Sequence, residues 1–321
     1  MNAPRPTLTP RAAALLDAFD SPQLLGASRQ IEIAAELLIS VAEAHEGDGP
    51  ALAARLGEIV AYLSAQRGAS SQAIPNALAL MLDGLQERVE SSPETIRDWT
   101  IASVSRYRDD AAGWMAAIVA NGTRLASGAR RLLAYDYSSS IACLLRELGA
   151  AETPPLVILP EARTLEGGRR FVEDLHDTPL RIELIPDAAA GGALRGCDLA
   201  LIGAETITAE GGCYNTTGSL LVALACQHWR VPLYVPSMLV KIDARTLCGY
   251  RRPDPELGED HLGRLTEGWP PALKERVTVA SPDLDYVPPA LLSGYITEAG
   301  ILPPAAIVHH AERLSRAMGE V

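Results

Sequence analysis

The sequence lacks what several protein classes require. Across its 321 residues no window approaches 18 consecutive apolar residues, and the opening MNAPRPTLTP has no charged-then-apolar layout. Neither a membrane-spanning helix nor a signal peptide is expected, and the chain reads as cytoplasmic. The five cysteines (Cys143, Cys197, Cys213, Cys226 and Cys248) are odd in number and none stands in a CxxC pair. That argues against a disulfide framework and against structural zinc. Cys143 and Cys226 fall in apolar helical runs and read as small buried thiols. A net charge of −12 argues against general nucleic-acid or anionic-membrane binding, while leaving room for a local cationic pocket. GxGxxG, GxxxxGKS/T, HExxH and GxSxG are all absent, so dinucleotide, P-loop, zincin and hydrolase chemistries have no support. The six histidines are scattered, with His309 and His310 reading as surface residues of the last helix. The four tryptophans show no pattern with basic residues of the kind that stacks single-stranded nucleic acid. No metal and no cofactor are expected.

What is present is a soluble globular composition, 48% hydrophobic and 21% charged, on a chain long enough for two domains or one large one. The first 125 residues read as helices. Apolar groups recur at helical spacing over 29–46 and 51–66, and a third helix is predicted around PNALALMLDGLQERV. Ser92-Pro93-Glu94 then opens a long helix expected to end near 121. After Gly128 the texture changes to short, β-branched-rich runs: RRLLAYD, PLVILP, RIELIP, DLALIGA, VPLYVP and VTVAS. Helical segments lie between them, which implies βαβ units and a parallel sheet covered on both faces. The expected fold class is therefore α/β, a helical domain (1–125) followed by a Rossmann-like domain (126–321). In such a sheet ligands sit beyond the carboxyl ends of the strands.

Three strand ends carry unusual chemistry. In LLAYDYSSSIACLL, Asp136-Tyr137 precedes Ser138-Ser139-Ser140 at the start of a helix. Hydroxyls and free N–H groups there suit a phosphate, although a serine serves equally well as a helix cap. In LPEARTLEGGRRF, Glu161 and Arg163 read better as a structural ion pair than as ligand contacts. In LIGAETITAEGGCYNTTGS, Glu205 ends an apolar run and Asn215-Thr216-Thr217-Gly218-Ser219 opens the next helix, with Asn215 either a cap or an anion contact. Lys241, after the following strand, is the nearest cation; alone it would read as a solvated surface group.

The stretch GAETITAEGGCYNTTGSLLVALACQHWRVPLYVPSMLVK resembles the signature of one superfamily. It comprises the α, β and δ subunits of eukaryotic translation initiation factor 2B, methylthioribose-1-phosphate isomerase and ribose-1,5-bisphosphate isomerase. LLAYDYSS, PEARTLEGGR, DYVPPALLSGYITEAGILPP, QRGASSQAIPNAL and LLGASRQI resemble further elements of it in the same order. The resemblance implies a helical domain on a Rossmann-like domain, assembled as a homodimer. It implies Asp136 and Glu205 as the catalytic pair, where the isomerases carry a cysteine and an aspartate. It places phosphate and hydroxyl contacts on Gly26, Ala27 and Ser28, on Arg67, on Ser138, Ser139 and Ser140, on Asn215 and Thr216, and on Lys241. The chain departs from the pattern at these points: besides the altered pair, Thr216 replaces a loop lysine and Leu25 an arginine.

Two functions follow. One is an aldose–ketose isomerase of a phosphorylated sugar, in which two carboxylates near one substrate take opposite acid and base roles. The other is a non-catalytic binder of a sugar phosphate or nucleotide, acting as sensor or assembly partner. A carboxylate at position 136, inside a phosphate pocket, favours the enzyme. Loss of two cations favours a monophosphate over a bisphosphate.

Overall fold

The computed structural model describes residues 5–21, 26–68, 71–252, 266–278 and 282–318; the side chains of Arg67, Ala317 and Met318 fall outside that description. The helical part contains α1 (Pro10–Asp20), α2 (Ala27–Glu43), α3 (Gly49–Arg67), α4 (Ala73–Met81) and α5 (Pro93–Leu125). Local chemistry sets their starts. Asp48 accepts the Ala51 N–H at 2.9 Å to cap α3, and Ser92 accepts the Thr95 N–H at 3.3 Å just before Pro93. The predicted third helix stops at Met81, earlier than the apolar pattern suggests. Gly84 adopts a positive φ of 88°, and only a 3₁₀ turn at Gln86–Arg88 follows. Phe19, Leu37, Leu38, Leu56 and Leu63 are fully buried between these helices. Each contributes about 1.5–3 kcal/mol by burial.

The second part is built on a seven-stranded sheet. Its strands are β1 (Arg131–Tyr135), β2 (Leu156–Pro160), β3 (Arg181–Ile185), β4 (Leu199–Ile202), β7 (Leu233–Pro236), β10 (Gly294–Thr297) and β11 (Gly300–Leu302). The order is β11-β10-β7-β4-β1-β2-β3, parallel except for the antiparallel edge strand β11. A second, four-stranded sheet that the sequence reading did not anticipate pairs β8 (Ile242–Asp243), β5 (Thr206–Thr208), β6 (Cys213–Thr216) and β9 (Leu284–Val287). The intervening helices are α6 (Ser139–Gly149), α7 (Gly167–Leu175), α8 (Ala190–Ala193), α9 (Ser219–Trp229), α10 (Pro271–Lys274) and α11 (Ile307–Met318).

Alternation along each strand fills two cores. Leu132, Ala134, Leu199 and Leu201 pack with Ile118 of α5, Ile141 of α6 and Phe171 of α7. Leu133, Tyr135, Ala200 and Ile202 pack on the other face with Val222 of α9 and Ile307 of α11. Helix α5 thus serves both cores, with Val104 in the helical one and Ile118 against the sheet. Five of the six predicted strand runs are in the sheet. In VTVAS, Val277 and Thr278 are not in a strand and residues 279–281 lie outside the described residues; the place beside β7 belongs to Gly294–Thr297. Cys143 is also corrected: it is exposed, because α6 turns Ile141, Ala142, Leu144 and Leu145 inward and leaves position 143 on the outer face.

Candidate functional site

The strand order locates the site. The chain runs from β1 outward through β2 and β3, then returns to place β4 on the other side of β1. A crevice opens at the carboxyl ends of two strands where the direction of winding reverses. Tyr135 pairs with Ile202, so β1 and β4 end level and Asp136 leaves the sheet beside Gly203. The two residues singled out in the sequence, Asp136 and Glu205, therefore both follow the carboxyl ends of adjacent strands.

Asp136 is 6% exposed and its backbone sits in the left-handed region at φ 57°. The Thr216 hydroxyl donates to its Oδ2, while Oδ1 is buried with no hydrogen-bond partner among the described residues. Burial pushes this carboxyl up to about 6; the Thr216 hydroxyl, the Tyr137 amide and the charge of Arg170 work in the other direction. Gly167, at the start of α7, makes the close packing possible: a Cβ there would stand 2.0 Å from Asp136 Oδ1. Arg170, three residues further along α7, lies with its guanidinium 4.6 Å from the centroid of the Tyr137 ring.

Glu205 is half-buried, and its N–H donates to the Tyr214 carbonyl at 2.8 Å, starting the β5–β6 hairpin. Lys241 is not the solvated surface group that a lone lysine suggests. Its ammonium donates to the Ala204 carbonyl at 2.7 Å, and burial lowers its pKa against the opposing charge of Glu205. Glu298 holds the turn carrying Lys241, accepting the Leu239 N–H at 3.1 Å.

The remaining predicted residues divide into two sets. Ser138 is at the N-cap position of α6 but makes no side-chain cap bond, and Ser139 and Ser140 form the first turn. Asn215 is in β6 and does not cap α9; its Nδ2 donates to Ser219 Oγ at 2.8 Å. Asn215 Oδ1 and the Ser138 Cβ both close on Gly203, lying 3.1 and 3.2 Å from where a Cβ would stand. The N-terminus of α9 is already occupied, because Asp285 accepts the N–H groups of Gly218 and Leu220 at 2.7 and 3.1 Å. The start of α6 has no cap bond from its own N-cap side chain among the described residues.

The segment after Arg67 also reaches the crevice. The Ser71 hydroxyl donates to the Glu205 carbonyl at 3.5 Å, and Arg245 donates to the Gly68 carbonyl at 3.0 Å. Asn76 donates to the carbonyls of Val240 and Ile242, both at 2.8 Å. The Arg67 side chain itself, like Leu25, lies outside the described residues. Gly26, Ala27 and Ser28 open α2, with Gly26 at φ 92°, Ala27 buried and Ser28 exposed; no hydrogen bond among the described residues joins them to Asp136 or Glu205.

Two cations were missed in the sequence. Arg170 was hidden in the GGRRF run. Arg252 lies in CGYRRP, beyond Lys241, and its guanidinium stands 5.2 Å from the centroid of the Tyr214 ring. A cleft lined by Cys226, Arg230, Val231, Leu292 and Ser293 lies at the amino ends of β7 and β10, away from these groups.

Comparison with known proteins bears on the family and the fold. The initiation factor 2 subunit family matches residues 26–304. A ribose 1,5-bisphosphate isomerase of Haloterrigena turkmenica is 24% identical over 309 residues, covering 94% of this chain and 93% of the relative. A methylthioribose-1-phosphate isomerase of Gemmatimonas aurantiaca is 33% identical over 161 residues, covering 49% of this chain and 44% of that protein. Among solved structures, a 5-methylthioribose 1-phosphate isomerase of Pyrococcus horikoshii superposes with a TM-score of 0.76 at 19% identity, covering 95% of this chain and 87% of that one. The translation initiation factor eIF-2B of the same organism gives 0.75 at 21%, covering 94% and 100%. At these identities the structures speak for the fold alone.

Proposed function

The chain belongs to the initiation factor 2 subunit family, and from that premise we propose that it is an aldose–ketose isomerase of a ribose-phosphate-type sugar using Asp136 and Glu205. The observation that carries the reading is the state of Asp136. It is a carboxyl that burial raises to about 6, at the carboxyl end of β1, with one oxygen on Thr216 and the other without a hydrogen-bond partner among the described residues. A group poised in this way is suited to give and take a proton.

In the open-chain aldose, Glu205 takes the proton from C2 while Asp136 gives its proton to the carbonyl oxygen on C1. The enediol formed then receives a proton at C1 from Glu205 and returns its C2 hydroxyl proton to Asp136, leaving the ketose. No redox partner is needed, since C1 is reduced as C2 is oxidised. The α6 start with Ser138, Ser139 and Ser140, together with Asn215 and Lys241, would hold phosphate and hydroxyl groups. Gly26, Ala27, Ser28 and Arg67 belong to the proposal on the resemblance alone. The same reading includes a homodimer, which light scattering checks.

The test is incubation of the protein with ribose phosphates, followed by NMR for ketose formation. Product is the decisive signal rather than deuterium uptake, because a hydride shift between C1 and C2 gives product without exchange. A sugar phosphate that binds and is recovered unchanged would make the protein a sensor or assembly partner instead.

A further inference from the structure

We propose that Arg252 is a substrate-binding residue, which receives the phosphoryl group of the ligand at the Glu205 side of the crevice. The proposal rests on the phosphosugar reading above and assigns a contact that the sequence did not suggest. Three observations support it.

The first is an unmet hydrogen-bonding capacity. Arg252 Nη1 is buried and has no hydrogen-bond partner among the described residues. A guanidinium N–H taken out of water without an acceptor is costly, and an oxyanion is the acceptor its planar fork fits best.

The second is position. Arg252 lies against the ring of Tyr214, and the carbonyl of Tyr214 is the one that accepts the Glu205 N–H. The guanidinium is thus fixed to the same β5–β6 hairpin that presents Glu205. Burial lowers its proton affinity, and Glu205 is the foremost charge acting against that.

The third is the local charge. Asp243, the other carboxylate that acts on Arg252, is engaged by Arg245, with contacts from Nε and Nη2 at 2.8 Å each. Those two charges cancel. Among the described residues Lys241 and Arg252 then stand against the single charge of Glu205, a net positive balance suited to an anion. The cation is placed differently from the loop position held by Thr216, where the hydroxyl serves Asp136.

The test is calorimetric titration of wild type, Arg252→Gln and Arg252→Lys with inorganic phosphate, ribose 5-phosphate and ribose. Phosphate and ribose 5-phosphate are expected to bind about 10- to 100-fold more weakly to Arg252→Gln, with Arg252→Lys between, and ribose should not distinguish the three. If Arg252→Gln does not fold, as judged by its ligand-free melting, a several-fold loss in Arg252→Lys is the supporting result. Equal phosphate and ribose 5-phosphate binding across the variants overturns the proposal, as does a wild type that binds neither anion. Tight ribose 5-phosphate binding unaffected by the variants would overturn the Arg252 contact and leave the phosphosugar reading standing. Arg252-dependent binding of inorganic phosphate, with ribose 5-phosphate no tighter, would keep the anion contact and remove the sugar from it.

Discussion

Thr216 Oγ1 donates to Asp136 Oδ2, joining the end of β6 to the end of β1 across the crevice. The bond favours the charged form of a carboxyl that burial otherwise drives toward neutrality. Thr216→Val removes the donor while keeping the shape. The Asp136 pKa should then rise above its present value of about 6, and the alkaline limb of the pH–rate profile should move up with it. Stability near pH 8 should fall by about 1–3 kcal/mol, with little loss near pH 4, where the carboxyl is neutral. A profile unmoved by Thr216→Val would show that another group sets that limb.

Asp136 also links stability to pH. Its folded-state pKa is raised from an ordinary 3.8 to about 6, so folding takes up a proton between those values. The associated stability is fully present below 3.8 and is lost as pH rises through about 6, by an amount on the order of 3 kcal/mol. Asp136→Asn cannot ionise and should escape this loss. Urea denaturation at several pH values should show the variant gaining on wild type as pH rises, while turnover falls by about 10²–10⁴-fold. Full turnover in Asp136→Asn would exclude the proposed acid role.

The approach of α7 to Asp136 depends on Gly167. A Cβ there would meet Asp136 Oδ1 at 2.0 Å and the Tyr137 nitrogen at 2.5 Å, and both belong to a buried segment that cannot easily move. Gly167→Ala should cost about 1–3 kcal/mol and lower turnover by displacing the carboxyl. Gly113→Ala in α5, where nothing lies within 4 Å of the new Cβ, is the control, and should stabilise by about 0.5–1 kcal/mol. Equal melting shifts for the two variants would contradict the packing argument.

What the sequence made legible follows from the range of the interactions involved. Strands such as LLAY and LALI are buried on both faces and read as continuous apolar runs, so the sheet and the residues just beyond it could be found locally. Asp136 and Glu205 were reached in that way. Arg252 was not, because its placement depends on Tyr214 in a hairpin distant in sequence. The same holds for the cap of α9: Asn215 looked like the cap, yet β9 pairs with β6 so that Asp285 stands opposite Asn215 and takes the N–H groups of Gly218 and Leu220. Periodicity also overreached in the third helix, where Gly84 overrides an apolar pattern that continues beyond Met81.

Asp285 separates two places where a phosphate could lie. Its carboxylate already occupies the N-terminus of α9, where the helix dipole and free N–H groups would otherwise attract an anion. If the ligand phosphate sat there in the native protein, Asp285 would have to be displaced, and removing it would strengthen binding. If the phosphate lies by Lys241 and Arg252, Asp285 is only a cap. Asp285→Ala should therefore cost about 0.5–2 kcal/mol of stability. Its affinity for ribose 5-phosphate should stay within about twofold of wild type. Denaturation and calorimetry on the same preparation check both parts, and a marked gain in affinity would move the phosphate site to α9.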